Sequence, residues 1–262
     1  MQKADGMNYA PIGKASPVCG PGEFRFAAVG LDHGHIYGMC NGLVEAGGEL
    51  AWVFDPDPQR IAAFCATYSG VQVARCEAEV LDDPAVRLVA SATVPCRRGP
   101  LGLRAMAHGK DYFADKPPVT SPEQLHAARR TVAETGRIYA AYYAERLHVE
   151  AAVKAGDLIR QGAIGRVVQV IGLGPHRLNA PGRPAWFWDP KQYGGILVDI
   201  GSHQIEQFLH YTGASGGRVL HSKVANYENR DHPDFQDFGD ATLLADNGAT
   251  SYFRVDWFTP AG

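Results

Sequence analysis

The chain has 262 residues, enough for one large domain or two modest ones with cores of their own. Hydrophobic residues make up 45% and charged residues 20%, the balance of an ordinary globular protein. A formal net charge of −3 argues against nucleic acid or an anionic membrane as the main partner, because either calls for a basic face. Five cysteines (Cys19, Cys40, Cys65, Cys76, Cys96) form an odd set without a CxxC. Their spacing predicts reduced thiols in a cytoplasmic protein, not a disulfide framework or a zinc knuckle. No run of eighteen apolar residues is present, so no membrane span is expected.

Residues 1–23 lack the continuous apolar core of a secretory signal and are rich in Gly, Pro and small side chains. They are expected to form a flexible leader. Regular patterning starts at Phe24. Arg25 to Val29 is a short apolar run ending at Gly30 and predicts a buried strand. A helix over Ile36 to Ala46 stops at Gly47-Gly48. Leu50 to Phe54 predicts a second strand, closed by Asp55-Pro56-Asp57-Pro58, and Gln59 to Thr67 a second helix. The alternation continues through strands at Val71–Val73, Arg87–Ala92, Asp111–Ala114 and Arg137–Ala141. Helices lie between them at Gly99–His108 and from Ser121-Pro122 to Thr135. Strands alternating with helices predict a doubly wound parallel sheet over residues 24–143.

The texture changes after Tyr143. A helix is expected over His148 to Gln161 and another over Leu197 to Tyr211. Strands are expected at Val167–Leu173, Val219–Tyr227, Ala241–Ala245 and Ala249–Trp257. Few helices separate them, which predicts an α+β domain with a largely antiparallel sheet over residues 144–262. The sequence stops directly after the last of these strands, so this domain is expected to be incomplete.

Two constellations carry chemistry. The first is Val29-Gly30-Leu31-Asp32-His33-Gly34-His35-Ile36, a strand, a glycine turn and a helix start, as dinucleotide binding requires. Asp32 and His35 stand where the full G-x-G-x-x-G pattern has glycines. The context supports the motif, since Asp55 follows 25 positions later at the end of the next strand. A carboxylate there can accept ribose hydroxyls and would repel a 2′-phosphate, and no arginine follows it directly, so NAD is favoured over NADP. Asp55 could instead simply begin an Asp-Pro turn. Asp32 beside a pyrophosphate is unfavourable unless it faces away or caps the helix, and His33 and His35 are candidates to offset it as donors. Two histidines on one short turn are too few for a metal site, and none is expected. Local capping remains an equal reading for them.

The second constellation joins Asp115-Lys116-Pro117-Pro118, at the carboxyl end of a predicted strand, to Gly194-Gly195-Ile196-Leu197-Val198-Asp199-Ile200-Gly201-Ser202-His203. Asp199 and His203 are four apart and would share a helix face. An Asp/His pair with a lysine suits removal of a hydroxyl proton as a hydride leaves the same carbon. A buried structural Asp–His pair is the alternative. No G-x-S-x-G is present, which argues against a serine hydrolase.

Taken together, Gly30, the Asp-Lys-Pro at 115–117 (usually Glu-Lys-Pro) and the run from Gly194 to His203 resemble the Gfo/Idh/MocA family, named for glucose–fructose oxidoreductase and inositol dehydrogenase. The resemblance covers nearly the whole chain after residue 24. It implies a nicotinamide-dependent oxidoreductase acting on a sugar, sugar acid or cyclitol, with Lys116, Asp199 and His203 as the catalytic set and His203 as acid/base. It further implies cofactor contacts at Thr93, Pro95, Asp115, Lys116 and Glu145. Arg146 falls near cofactor and substrate, and Trp186 and Trp188 in the segment Arg183–Pro190 shape a sugar pocket or pack a long loop. Self-association through the C-terminal sheet is expected. Some relatives use bound NAD transiently in glycoside cleavage or epimerisation, and a redox-silent binding protein is the remaining alternative.

Overall fold

A computed structural model of the chain describes residues 16–260. These residues divide into two compact units between Tyr142 and Tyr143. The expected leader falls largely outside the described residues. Its last stretch is tied down, because Ser16 and Val18 donate their N–H groups to Glu45 O (3.2 Å) and Ala46 O (2.8 Å).

The first unit runs β1 (Arg25–Val29), α1 (His35–Glu45), β2 (Glu49–Phe54), α2 (Pro58–Thr67), β3 (Gln72–Val73), α3 (Glu77–Leu81), β4 (Val86–Ser91), α4 (Pro95–Ala107), β5 (Asp111–Asp115), α5 (Pro122–Thr135) and β6 (Tyr139–Tyr142). The sheet order is β3-β2-β1-β4-β5-β6 with parallel pairing throughout. Strand order reverses between β1 and β4, where open α/β sheets leave a crevice at the carboxyl ends. Both faces of β1 are covered, and Phe26, Ala27, Ala28 and Val29 are all buried. Burying a side chain of the size of Phe26 contributes about 1.5–3 kcal/mol.

Local sequence explains the helix ends. Asp57 caps α2 by accepting from Gln59 N at 2.8 Å, with Pro58 at the first helical position. Ser121 accepts from Gln124 N to start α5, and Gly136 ends it in the left-handed conformation. Helix α4 begins four residues before the expected Gly99, since Pro95 needs no N–H partner there. Pro100 lies inside it and cannot donate to Cys96 O, but the side chain of Gln124 supplies that donor at 2.9 Å. Helix α3 is too short to leave a periodic signal in sequence, and its buried Val80 and Leu81 hold it.

The second unit contains α6 (Ala144–Leu147), α7 (Glu150–Arg160), β7 (Gln169–Pro175), α8 (Pro190–Tyr193), α9 (Ile196–Asp199), α10 (Gly201–Thr212), β8 (Gly217–Ala225), β9 (Phe238–Ala245) and β10 (Thr250–Asp256). Its sheet has the order β7-β10-β9-β8, antiparallel except for the β7–β10 pair. Helix α10 packs against β7, β9 and β10. Gly172 permits that approach, because a Cβ there would lie 2.2 Å from Gln204 Oε1. Phe208, Leu243, Phe253 and Val255 belong to the resulting core. On the opposite face Ile171 and Leu173 of β7 are exposed.

One expectation about this unit fails. The predicted single helix from Leu197 to Tyr211 is two helices broken at Ile200. A Gly201-Ser202 pair follows directly, the kind of pair at which helices kink. Ser202 Oγ donates to Asp199 O at 3.2 Å across the break, and His203 N returns to Ile200 O at 3.1 Å. Asp199 therefore ends one helix while His203 lies in the first turn of the next, and the shared-face argument does not hold as stated.

Candidate functional site

In the first unit the glycine turn follows β1. Gly30 has φ +79°, donates to Phe54 O at 2.9 Å and accepts from Ala92 N at 3.1 Å. A Cβ at this position would sit 2.5 Å from Cβ of Thr93, so only glycine fits. The turn thus lies wedged between the ends of β2 and β4, with Thr93 nearly buried against it.

Asp32, which sequence left awkward, has defined partners. Its Oδ2 accepts from Thr93 Oγ1 (3.0 Å) and Val94 N (3.2 Å), while Oδ1 lies 2.7 Å from Nη1 of Arg60. The offset comes from Arg60 and not from the two histidines. Arg60 stands five residues after Asp55, beyond the position directly following it. Its guanidinium also approaches Asp55 (3.4 Å) and Asp57 (3.6 Å).

Asp55 is buried, and its two oxygens accept from Leu31 N (2.6 Å) and Asp57 N (2.8 Å). It clamps the glycine turn, a role the sequence reading did not give it. Ile36, expected among the cofactor contacts, has its side chain fully buried in the core, and its N–H donates to His33 O. The remaining first-turn amides of α1 are also engaged, His35 N with His33 Nδ1 and Tyr37 N with Gly34 O, both at 3.2 Å. Gly34 is the N-terminal flanking residue of α1, and Pro95 opens α4 just beyond Thr93.

His33 and His35 face Asp115 at the end of β5. His35 Nδ1 lies 2.8 Å from Asp115 Oδ1, and His33 Nδ1 lies 3.5 Å from Oδ2. Asp115 is completely buried and also takes Nη2 of Arg98 (2.9 Å) and the N–H of Lys116 (2.8 Å). Arg98, 1% exposed, donates further to the carbonyls of Thr93, Lys116 and Pro117. Burial holds the His33 imidazole well below its usual range, reinforced by His35 and Arg98 against the pull of Asp115. Burial alone would raise the Asp115 carboxyl, but Arg98 and His35 outweigh it and keep the group ionised. His33, His35 and Asp115 are spaced as metal ligands could be. Their facing atoms are already committed to hydrogen bonds and to Arg98, which repels a cation, so the trio reads as a hydrogen-bonded cluster. Asp115 thus braces the backbone at Lys116, itself a buried residue.

The second unit holds His203, 3% exposed. The Tyr143 ring meets it edge-on at 5.6 Å, and Glu145 Oε1 lies 3.8 Å from its Nε2. The Glu145 carboxylate also takes His176 Nε2 at 3.1 Å and Gln207 Nε2 at 3.4 Å. Glu145 is therefore the acidic neighbour of His203, where sequence had placed it with the cofactor. Asp199 is buried at the end of α9. Arg146 is bound to Glu206 on α10 through Nε (2.7 Å) and Nη2 (2.6 Å), which fixes α6 to α10 and engages the guanidinium. Trp188 stacks on His232 with ring centres 3.9 Å apart and packs against Phe235. Trp186 is partly buried against the same aromatic core. Sequence reading missed Arg60, Arg98, His176 and Glu206. Each has a partner at least 17 positions away, and the available signal was the nearness of Arg60 to Asp55 and Asp57, five and three residues before it.

The residues of the first unit fit a dinucleotide: a glycine turn that no side chain can fill, at the switch point of the sheet, with the Asp32 charge offset. Comparison with known proteins agrees. Residues 18–143 match the family described as "Oxidoreductase family, NAD-binding Rossmann fold", and residues 152–262 match the GFO/IDH/MocA C-terminal domain. The chain is 28% identical over 247 residues to scyllo-inositol 2-dehydrogenase (NAD(+)) of Bacillus subtilis (strain 168), covering 92% of this chain and 69% of that protein. D-xylose dehydrogenase of Paenarthrobacter nicotinovorans is 24% identical, with 70% of this chain aligned to 47% of the relative. A crystal structure from Erwinia carotovora atroseptica SCRI1043, described as a candidate oxidoreductase, superposes with a TM-score of 0.89 at 52% identity, over 92% of this chain and 72% of that one. The chain belongs to the Gfo/Idh/MocA oxidoreductase family, with an N-terminal half of the NAD-binding Rossmann type.

Proposed function

We propose that the chain is an NAD-dependent dehydrogenase or reductase acting at a hydroxyl carbon of a sugar, sugar acid or cyclitol. The observation that carries the reading is His203, a buried imidazole with a carboxylate oxygen of Glu145 3.8 Å from Nε2. Bound NAD supplies a two-electron hydride acceptor. The chain's own residues must then manage the hydroxyl proton, which leaves poorly near neutral pH. His203 takes that proton, and Glu145 stabilises the imidazolium that results. Lys116 donates to the substrate oxygen and favours its deprotonated form. Asp199 joins the catalytic set through the match of the run from Gly194 to His203 to the family's pattern.

In the same reading Gly30, Asp32, Gly34, Thr93 and Pro95 surround the dinucleotide, while Asp55, Asp115, His33 and His35 hold the turn and Lys116 in place. A preference for NAD over NADP is supported by the Arg60 guanidinium beside Asp55, which is engaged by the carboxylates of Asp32, Asp55 and Asp57. The names of the inositol and xylose relatives support a polyol or sugar substrate. The exposed Ile171 and Leu173 support pairing of this sheet face with a second copy of the chain. A cytoplasmic location fits the cysteine spacing. The test is a panel of cyclitols and aldoses with NAD, followed by absorbance of NADH.

A further inference from the structure

The glycine fingerprint of this chain carries a carboxylate at its second glycine position, and that carboxylate has a dedicated counter-charge. Asp32 Oδ1 lies 2.7 Å from Nη1 of Arg60, which rises from the first turn of α2. The same guanidinium reaches Asp55 at 3.4 Å and Asp57 at 3.6 Å. Asp55 is fully enclosed and its oxygens hold two backbone amides. Asp32 is a different case. Its side chain is 10% exposed, it lies at the turn itself, and of its two oxygens one serves Thr93 and Val94 while the other faces Arg60. A pyrophosphate approaching this turn brings two negative charges toward that carboxylate.

We propose that Arg60 is the positioning residue that makes an acid-substituted fingerprint competent for the diphosphate of a dinucleotide, by neutralising Asp32 and holding its carboxylate turned toward α2. The inference rests on the proposed NAD-dependent function. It explains how the turn tolerates an aspartate where the usual pattern has glycine. It also assigns Arg60 a role distinct from reading a 2′-phosphate, since the guanidinium is engaged by carboxylates on three residues.

The test is titration of the full chain with NAD, with NADP and with ADP-ribose, which carries the diphosphate without the nicotinamide, followed calorimetrically at low and moderate salt. Arg60→Met should weaken both ligands about tenfold at low salt, and less as salt rises, as expected for an unscreened charge. Arg60→Lys should stay within about threefold of wild type, because it restores the charge. The decisive variant is Arg60→Met combined with Asp32→Asn, which should recover most of the loss, an outcome that a merely structural role for Arg60 would not give. Thermal melting of each variant shows whether it is folded. Should Arg60→Met fail to fold, Asp32→Asn alone decides: binding equal to or tighter than wild type is expected, and a tenfold loss overturns the proposal. Unchanged NAD binding in folded Arg60→Met, or a double variant as weak as the single one, overturns it while leaving the NAD reading intact. Loss confined to NADP overturns it in favour of phosphate reading. A wild-type chain that binds neither NAD nor ADP-ribose overturns both.

Discussion

Arg98 and Asp115 form an ion pair at 2.9 Å, with 1% and 0% of their respective surfaces exposed, and their other bonds grip the backbone on both sides of the Lys116 α-carbon. Asp115 takes the Lys116 N–H and Arg98 donates to the Lys116 carbonyl. Aspartate is one methylene shorter than the glutamate usual in this motif, and a long, forked guanidinium spans to it while reaching Thr93 and Pro117 as well. Removing one partner leaves a buried charge uncompensated. Arg98→Ala should therefore cost about 3–5 kcal/mol of unfolding free energy in urea titration. A loss below about 1 kcal/mol would show that the pair is not a clamp. Arg98→Lys should recover only part, because a single ammonium cannot serve four acceptors.

The His33 imidazole gives a pH dependence of known sign. Its folded value lies well below the ordinary 6.5, chiefly because burial disfavours the charged ring. The unfolded chain then binds a proton that the folded chain refuses. The stabilisation is complete above pH 6.5 and is lost as pH falls from there toward the depressed folded value, at up to about 1.4 kcal/mol per pH unit. Thermal melts between pH 7.5 and 5.5 should fall for wild type and flatten for His33→Gln. Equal slopes would contradict the assignment.

Gly30→Ala should be costly twice over. The left-handed backbone costs about 1 kcal/mol for a residue with a Cβ, and the added atom would meet Thr93 at 2.5 Å. Displacing Thr93 also breaks its bond to Asp32. The expected result is a lowered melting temperature and NAD binding weakened at least tenfold by titration. A Gly30→Ala chain that binds NAD normally would remove the turn from the cofactor site.

For proton handling, Lys116→Ala and His203→Ala should each reduce kcat by about 10²-fold or more while changing the Kd for NAD by less than about threefold. Glu145→Gln should reduce kcat less and move the acidic limb of the pH–rate profile to lower pH, since the imidazolium loses its carboxylate neighbour. Full activity in His203→Ala would sink the acid/base assignment.

If the exposed face of the second sheet pairs with another copy, Ile171→Lys with Leu173→Lys should shift the sedimentation coefficient to a smaller species without lowering the melting temperature of the core. An unchanged oligomer size would place the interface elsewhere.

Much of the fold is written locally and was readable. β1 spans the predicted Arg25–Val29, and Asp57, Pro58, Ser121, Pro122 and Gly136 mark helix ends by capping chemistry alone. The failures arise where distant residues decide. Pro100 sits in mid-helix because Gln124 supplies the missing donor, and the Asp199–His203 helix breaks at a Gly-Ser pair that pattern-matching read through. In the site, residue types were legible but their pairings were not. Asp115 and Glu145, expected as cofactor contacts, have partners that the sequence did not show: Asp115 braces the Lys116 backbone, Glu145 lies beside His203, and Arg146 is engaged by Glu206 60 positions on. Periodicity reports which face is buried, whereas ion pairs across such separations depend on the assembled sheet.

The central claim is that this chain oxidises a hydroxyl carbon at the expense of NAD. Its most direct measurement is absorbance at the NADH wavelength during incubation with NAD and a panel of inositols, pentoses and hexoses. The account predicts NADH formation that saturates with at least one polyol or aldose and is abolished in His203→Ala. NAD binding with no substrate-dependent NADH formation across the panel would contradict it.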